Sequence, residues 1–320
     1  MRLHPLACAV AASLAGFLST PAQASCGSAY CSIATDLAAE AAGIVEGSVL
    51  DLRYESIRQD QPRAGSGRVG VGQVPRHHDE VRTDNRNLVA TYSRTFASGW
   101  GFSVAAPFSD RDHVHIHNHR GQKFVDQWDY RELGDMRVTG RYQKALGGAD
   151  APRTGGIVFG AKLPTGRTGI ANDAGAVAER TLQPGSGTTD LILGAFVHQQ
   201  LPQQAASWFA QVQVQRALNE HDGFRPGAQF SADLGYAKAF TDRFSGIVQA
   251  NAVVKRRDSG ANAEPEDSGS RSLFLSPGAS WQFTDSLRGY AFYQHPVYQH
   301  VTGVQLTPKR AFVVGVSARF

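Results

Sequence analysis

The sequence predicts an all-β protein, a single antiparallel transmembrane β-barrel of about twelve strands, and three observations support this fold class. Segments of about ten residues alternate between apolar and polar side chains. The connections between these segments are alternately short and long, and the long ones are polar. No segment contains the run of about 18 apolar residues that a transmembrane helix needs.

The last predicted strand shows the alternation most clearly. One of its faces is entirely apolar, whereas the other is small or polar, so the two faces meet different surroundings. In a soluble sandwich the apolar face would be the core, and in a membrane barrel it would face lipid. The apolar face consists of Phe312, Val314, Val316, Ala318 and Phe320. Similar strands are predicted near 47–58, 86–96, 100–108, 133–145, 156–164, 189–199, 206–216, 227–240, 243–256, 271–284 and 287–296, before the last at 310–320.

The connections decide between the barrel and the sandwich. Short turns face the periplasm and long loops face the exterior in outer-membrane barrels, whereas a sandwich has no reason to alternate in this way. An even number of strands also places both chain ends at the periplasm. The connections on the short side are 97–99, 146–155, 200–205, 241–242 and 285–286. Those on the long side are 59–85, 109–132, 165–188, 217–226, 257–270 and 297–309.

The N-terminal residues are predicted to direct export. Arg2, an apolar stretch and the sequence Ala22-Gln23-Ala24 are typical of a signal peptide over residues 1–24. Residues 25–46 then form a periplasmic segment, and residues 47–320 form the barrel in the bacterial outer membrane. An oxidising compartment favours a disulfide between Cys26 and Cys31, although a metal or redox site stays an alternative.

Several short motifs resemble a known group of outer-membrane proteins, the meta-pathway phenol-degradation family of transporters. The motifs are Lys162-Leu163-Pro164-Thr165-Gly166, Leu275-Ser276-Pro277-Gly278, Pro296-Val297-Tyr298-Gln299 and a final strand that ends on Phe320. The resemblance covers about residues 85–320. It implies a barrel that takes up small molecules, which are often aromatic or hydrophobic.

The partners expected of such a barrel follow from its place in the membrane. They are outer-membrane lipid, a small-molecule solute and the barrel assembly machinery, because the terminal Phe320 resembles an assembly signal. The formal net charge of +4 is too small an excess to indicate a nucleic-acid partner.

The polar faces of the strands are predicted to line the lumen. Basic residues outnumber acidic ones there, so the lumen either favours anions or is narrowed by charges that pair across it. The charged residues predicted to face the lumen are Asp51, Arg53, Glu55, Arg137, Arg141, Lys162, Asp233, Lys255 and Arg319.

A histidine tract gives a second functional hypothesis, an extracellular metal-binding surface on a barrel scaffold. His113, His115, His117 and His119 recur at every second residue, so in an extended chain they point the same way about 6.6 Å apart. His77 and His78 lie in the preceding long loop, and imidazoles of this kind bind Zn, Cu or Ni. Histidines that are hydrogen-bonded within a polar loop remain the alternative, and no other cofactor is expected.

An enzyme is not expected. Outer-membrane hydrolases need a serine with a histidine partner. His198 and His295 are present, but no G-x-S-x-G motif accompanies them.

Overall fold

The computed structural model describes residues 32–35, 46–75, 79–119, 122–148 and 152–320. The predicted signal peptide, the Cys26–Cys31 pair, His77 and His78 lie outside the described residues, as do the side chains of His117 and His119. Among the residues described, no helix is long and apolar enough to cross a membrane.

Within the described ranges, fourteen strands form one antiparallel sheet. They are β1 Gly47–Ala64, β2 Gly67–Arg68, β3 Asp79–Thr95, β4 Trp100–His119, β5 Gln122–Leu133, β6 Arg137–Ala145, β7 Arg153–Lys162, β8 Asp190–Leu201, β9 Ala206–Ala217, β10 Gln229–Ala239, β11 Phe244–Lys255, β12 Ser270–Gln282, β13 Leu287–Val301 and β14 Val304–Arg319.

The sheet closes on itself because β14 pairs with β1. The pairing runs from Val49 opposite Arg319 to Ala64 opposite Val304. The closed wall contains twelve strands, since the two-residue β2 lies at the end of β1 and β5 pairs with β4 alone. Closure gives every strand of the wall two hydrogen-bonded neighbours, which a barrel needs in lipid. The predicted twelve-stranded barrel is therefore confirmed.

The two faces of the wall differ as the alternation predicts. On β14, Val314 is 50% exposed on the outside, whereas Val313 is 1% exposed on the inside. Polar side chains such as Glu55 and Gln249 are fully buried within the lumen. The outer face therefore suits lipid, and the inner face holds a polar network.

Aromatic side chains collect near the short turns. The tilted rings of Trp100 and Tyr142 have 4.9 Å between their centroids, and those of Phe244 and Trp281 have 6.0 Å. Aromatic belts of this kind mark a membrane–water interface, so they indicate the periplasmic boundary of the barrel.

The prediction that residues 109–132 form a loop is wrong. In the structure β4 continues to His119, and β5 returns beside it as a hairpin that extends beyond the closed wall. Several outward residues here are charged and pair across strands, with 2.6 Å between Arg82 and Asp112 and 3.1 Å between Arg131 and Asp110. After Phe108 the outward positions of β4 are first charged, at Asp110 and Asp112, and then apolar, at Val114 and Ile116. The inward positions are polar as well, so the apolar–polar alternation that identifies a strand in lipid is lost.

Candidate functional site

The inner wall carries a network of paired polar groups. The Tyr290 hydroxyl donates to both carboxylate oxygens of Asp51, at 3.0 and 2.9 Å, across the seam of the barrel. Arg53 lies 3.0 Å from Glu55, and Arg137 donates to Gln215 on β9 at 2.9 Å. The structure places all nine residues predicted to line the lumen on the inner side of their strands, and several are paired rather than free.

Lys162 is the centre of a buried charge cluster. Its ammonium lies 2.9 Å from Asp135 and 3.3 Å from Asp190, and it also donates to the Ser186 hydroxyl. Asp135 in turn accepts the backbone N–H groups of Gly166, at 3.1 Å, and Ser186, at 2.9 Å. This cluster fixes both ends of the connection between β7 and β8 to the wall.

That connection, residues 163–189, is called the lid here because it folds inward across the extracellular mouth. The carbonyl of Ala176 accepts the indole N–H of Trp128 at 2.8 Å. The carbonyl of Leu182 accepts the Tyr130 hydroxyl at 2.9 Å and the Arg111 guanidinium at 2.7 Å. These contacts attach the lid to the inner side of the β4–β5 hairpin.

The lid also reaches the far wall through an apolar contact. Leu182 is 1% exposed and packs in one cluster with Ala178, Trp128 of β5 and Leu306 of β14. Because β14 is separated from β7 and β8 by several strands, the lid spans the lumen instead of standing above its own edge. Sequence reasoning treated these residues as an ordinary polar loop, although Ile170 and Leu182 within it were a signal of burial.

The histidine tract lies on β4 and not in a loop. His113 and His115 lie on the inner face of β4 beside Trp128, with 5.9 and 4.9 Å between ring centroids, and both are buried. The Nδ1 of His113 lies 2.8 Å from the Thr83 hydroxyl, and its Nε2 lies 3.4 Å from Nδ1 of His115. Both ring nitrogens of His113 therefore have protein partners.

Metal binding by the tract gains no support from this arrangement. In the described part of the chain, no three His, Cys, Asp or Glu residues are placed to hold a metal ion together. The role of His117, His119, His77 and His78 as ligands stays a prediction.

Residues 32–35 lie inside the lumen, and we call them the inner segment. The backbone N–H of Ala34 donates to the Gln249 side chain, and the Gln249 amide donates back to the Ala34 carbonyl, both at 3.2 Å. Arg53 donates to the Thr35 hydroxyl at 2.7 Å, and Gln294 donates to the Ser32 hydroxyl at 3.0 Å. Three different strands therefore hold this segment inside the barrel.

An apolar cluster lies where the inner segment contacts the wall. The inner segment contributes Ile33 and Ala34 to the cluster, and both are buried. The wall contributes mostly aromatic rings that point inward from strands otherwise lined by polar groups. The wall residues of the cluster are the aromatic Phe196, Phe209, Tyr290 and Phe292 and the aliphatic Ile247 and Val313. Sequence reasoning placed these residues on strands but missed that they converge.

Solved structures resemble this barrel. The COG4313 outer membrane channel from Pseudomonas putida F1 matches with a TM-score of 0.65 and 12% identity, covering 87% of this chain and 97% of that one. The NanC porin matches with a TM-score of 0.44 and 11% identity, covering 85% and 100% of the two chains. The translocator domain of NalP from Neisseria meningitidis reaches 0.46 and 10%, covering 89% and 93%. At 12% identity the first match shows that the fold is shared and no more, and the other two matches are too distant to support a conclusion.

No curated protein matches the chain in sequence. The family described as "Putative MetA-pathway of phenol degradation" matches residues 89–302, which is about two thirds of the chain. The chain belongs to this family, and it is a closed β-barrel of the bacterial outer membrane.

Proposed function

We propose that the protein is a channel for the uptake of small molecules, with a lumen occluded at rest by the inner segment below and the lid above. The observation that carries the proposal is the inner segment, which occupies an apolar cluster inside an otherwise polar lumen. A barrel filled permanently by its own wall would not need a separate piece of chain at that place. The proposal requires no catalytic group.

The contacts of the inner segment are few enough to be reversible. Burying one isoleucine side chain contributes about 1.5–3 kcal/mol, and each net hydrogen bond contributes about 0.5–1.5 kcal/mol. The described contact consists of buried Ile33 and Ala34, two bonds between Ala34 and Gln249, and one bond each from Arg53 and Gln294. Free energies of this size allow the segment to leave the lumen and return.

The apolar cluster favours an aromatic or apolar solute. When the inner segment leaves, the rings of Phe196, Phe209 and Phe292 become available to a solute that has passed the lid. Aromatic pairs contribute about 0.5–1.5 kcal/mol beyond the burial of area. Membership of a family named for phenol degradation supports the same class of solute.

Flux into proteoliposomes tests the proposal, with benzoate as the aromatic probe and glucose as the polar one. We expect wild type to pass benzoate faster than glucose. The double change Phe209→Leu and Phe292→Leu should reduce benzoate flux about 2- to 10-fold and leave glucose flux unchanged, because it removes ring stacking but keeps the apolar surface.

The matched control is Phe283→Leu, since Phe283 is 53% exposed on the outside of the barrel. This variant should behave as wild type toward both solutes. Absence of flux for both solutes in every variant would rule out the channel, and equal benzoate flux in wild type and the double variant would rule out the aromatic site.

A further inference from the structure

Glu179 is a buried carboxylate on the lid that the channel proposal does not use. The residue is 7% exposed, and neither of its carboxylate oxygens has a hydrogen-bond partner among the described residues. Three other carboxylates act on it: Glu80 at the extracellular start of β3, and Glu264 and Asp267 in the connection between β11 and β12. Geometry supports this proximity, because Ala178 packs in one cluster with Leu306, Glu80 accepts the backbone N–H of Leu306, and Asp267 accepts that of Val304.

Some of these carboxylates already have partners. Glu80 accepts the backbone N–H of Leu306 at 2.9 Å, and Asp267 accepts that of Val304 at 2.8 Å. Asp258, which also acts on Glu264, pairs with Lys255 at 2.9 Å. One oxygen of Glu264 has no partner within the described chain, as is true of both oxygens of Glu179.

Arg180, the cation next to Glu179 on the lid, pairs with groups other than Glu179. Arg180 donates to the carbonyl of Ser186 at 2.9 Å and to that of Thr168 at 3.3 Å, and it lies 3.9 Å from Asp222. Its guanidinium thus holds lid backbone and the adjacent loop together.

A carboxylate in such surroundings is expected to keep its proton. An ionised carboxylate that is buried without a partner is costly, so the group takes up a proton instead. Burial, and then the charges of Glu264, Glu80 and Asp267, raise the pKa of Glu179 well above its usual range. Burial, and then Glu80, Asp267 and Asp258, raise the pKa of Glu264 to about 8.

We propose that Glu179 is a proton-binding latch: its protonated form allows the lid to stay closed over the lumen, and its ionisation against Glu80, Glu264 and Asp267 releases the lid. The consequence for uptake rests on the proposed channel function, whereas the movement of the lid does not. The ligand is a proton because no three carboxylates in the described residues are arranged to share a metal ion.

The direction of the pH dependence follows from the pKa. With the lid open, Glu179 meets water and its pKa returns to the ordinary range near 4.3. Glu179 therefore binds its proton more tightly when the lid is closed. Closure is fully favoured at a pH below the pKa of Glu179 in the open state, and it is lost as the pH rises through the pKa of Glu179 in the closed state. Between the two values, each pH unit changes the ratio of closed to open lids up to about tenfold for each proton.

Trp128 provides a reporter that does not depend on transport. It is 5% exposed and its indole donates to the lid at Ala176, so release of the lid should expose it to a small uncharged quencher. The changes Trp100→Phe, Trp208→Phe and Trp281→Phe leave it as the only tryptophan, because the chain has 4. Acrylamide quenching is then measured from pH 5 to pH 9 in detergent with EDTA.

We expect quenching of Trp128 to rise severalfold with pH, and Glu179→Gln, which mimics the protonated form, to keep Trp128 shielded at every pH. Glu220→Gln, a change at an exposed carboxylate in the neighbouring loop, should titrate as wild type does. The latch is overturned if Glu179→Gln titrates like wild type, or if calcium at pH 9 restores shielding as fully as acid does. If the quenching of Trp128 depends on pH but the barrel conducts at no pH, the latch is supported and the channel is refuted.

Discussion

At the inner wall, aromatic rings lie where the opposite residue on the next strand is glycine. A Cβ atom added at Gly235 would lie 2.2 Å from the Phe209 ring, and one added at Gly278 would lie 2.2 Å from the Phe292 ring. Each glycine therefore lets a ring lie flat against the wall instead of projecting across the lumen. The alternating pattern predicts that these residues face inward, but which glycine faces which ring depends on strand register, which the pattern does not specify.

Gly278→Val tests this packing. The new side chain must displace the Phe292 ring, and overpacking of this kind costs about 1–3 kcal/mol. We expect the urea midpoint for loss of heat-modifiable migration to fall. Gly148→Val is the control, because a Cβ at Gly148 meets nothing within 4 Å. If both variants unfold at the same urea concentration, the account of the glycine positions is wrong.

Burial separates charge pairs that stabilise the barrel from those that do not. Lys162 lies between Asp135 and Asp190 with its side chain 9% exposed, so Lys162→Gln leaves two buried carboxylates without their cation. A loss of about 3–5 kcal/mol is expected. Arg131→Gln removes a pair with Asp110 in which the arginine is 76% exposed, and it should cost less than about 1 kcal/mol. Equal urea midpoints for the two variants would contradict this ranking.

Among the elements, the strands of the wall were predictable and the lid was not. Predicted and observed strands agree within a few residues at their periplasmic ends, as for 206–216 against Ala206–Ala217. The extracellular ends of β1, β3 and β4 extend much further than predicted, because they leave the lipid and lose its apolar signature. The inward path of the lid depends on contacts with distant strands, and no local pattern encodes those contacts.

Trp128→Phe tests how the lid is held. The change keeps an aromatic ring, although a smaller one, and removes the donor to the Ala176 carbonyl. Loss of this bond should cost about 0.5–1.5 kcal/mol and make lid opening about 2- to 12-fold more frequent. Tryptic cleavage after Arg180, whose side chain is 12% exposed, measures that opening. Trp281→Phe, a change on the outer face, should leave the rate unchanged. Equal cleavage rates in both variants would show that this hydrogen bond does not secure the lid.

The last residue, Phe320, takes part in the closure of the barrel. The N–H of Phe320 donates to the Ser48 carbonyl at 3.0 Å, and the N–H of Ser48 donates to the Phe320 carbonyl at 2.8 Å. Deletion of Phe320 should therefore lower intrinsic stability modestly and, if Phe320 is an assembly signal, reduce insertion in cells far more. Heat-modifiable migration of protein from cells, compared with refolding in detergent, separates the two effects. Normal insertion of the truncated protein in cells would show that Phe320 is not an assembly signal.

At this scale the sequence predicted a closed barrel and its orientation, since both follow from alternation within strands and between connections. The placement of residues 32–35 inside the lumen did not follow from the sequence. The position of residues 32–35 depends on side chains from β1, β11 and β13 that are far apart in sequence, and no local pattern encodes those contacts.

Single-channel conductance in planar bilayers tests the central claim, an outer-membrane channel whose lumen is occluded by its own N-terminal chain. Wild type is compared with a variant lacking residues 25–44 and with Ile33→Asp, whose charge is disfavoured in the apolar cluster. We predict brief, small openings for wild type and larger, sustained conductance for both variants. Equal conductance in all three proteins, or none in any, would contradict the account.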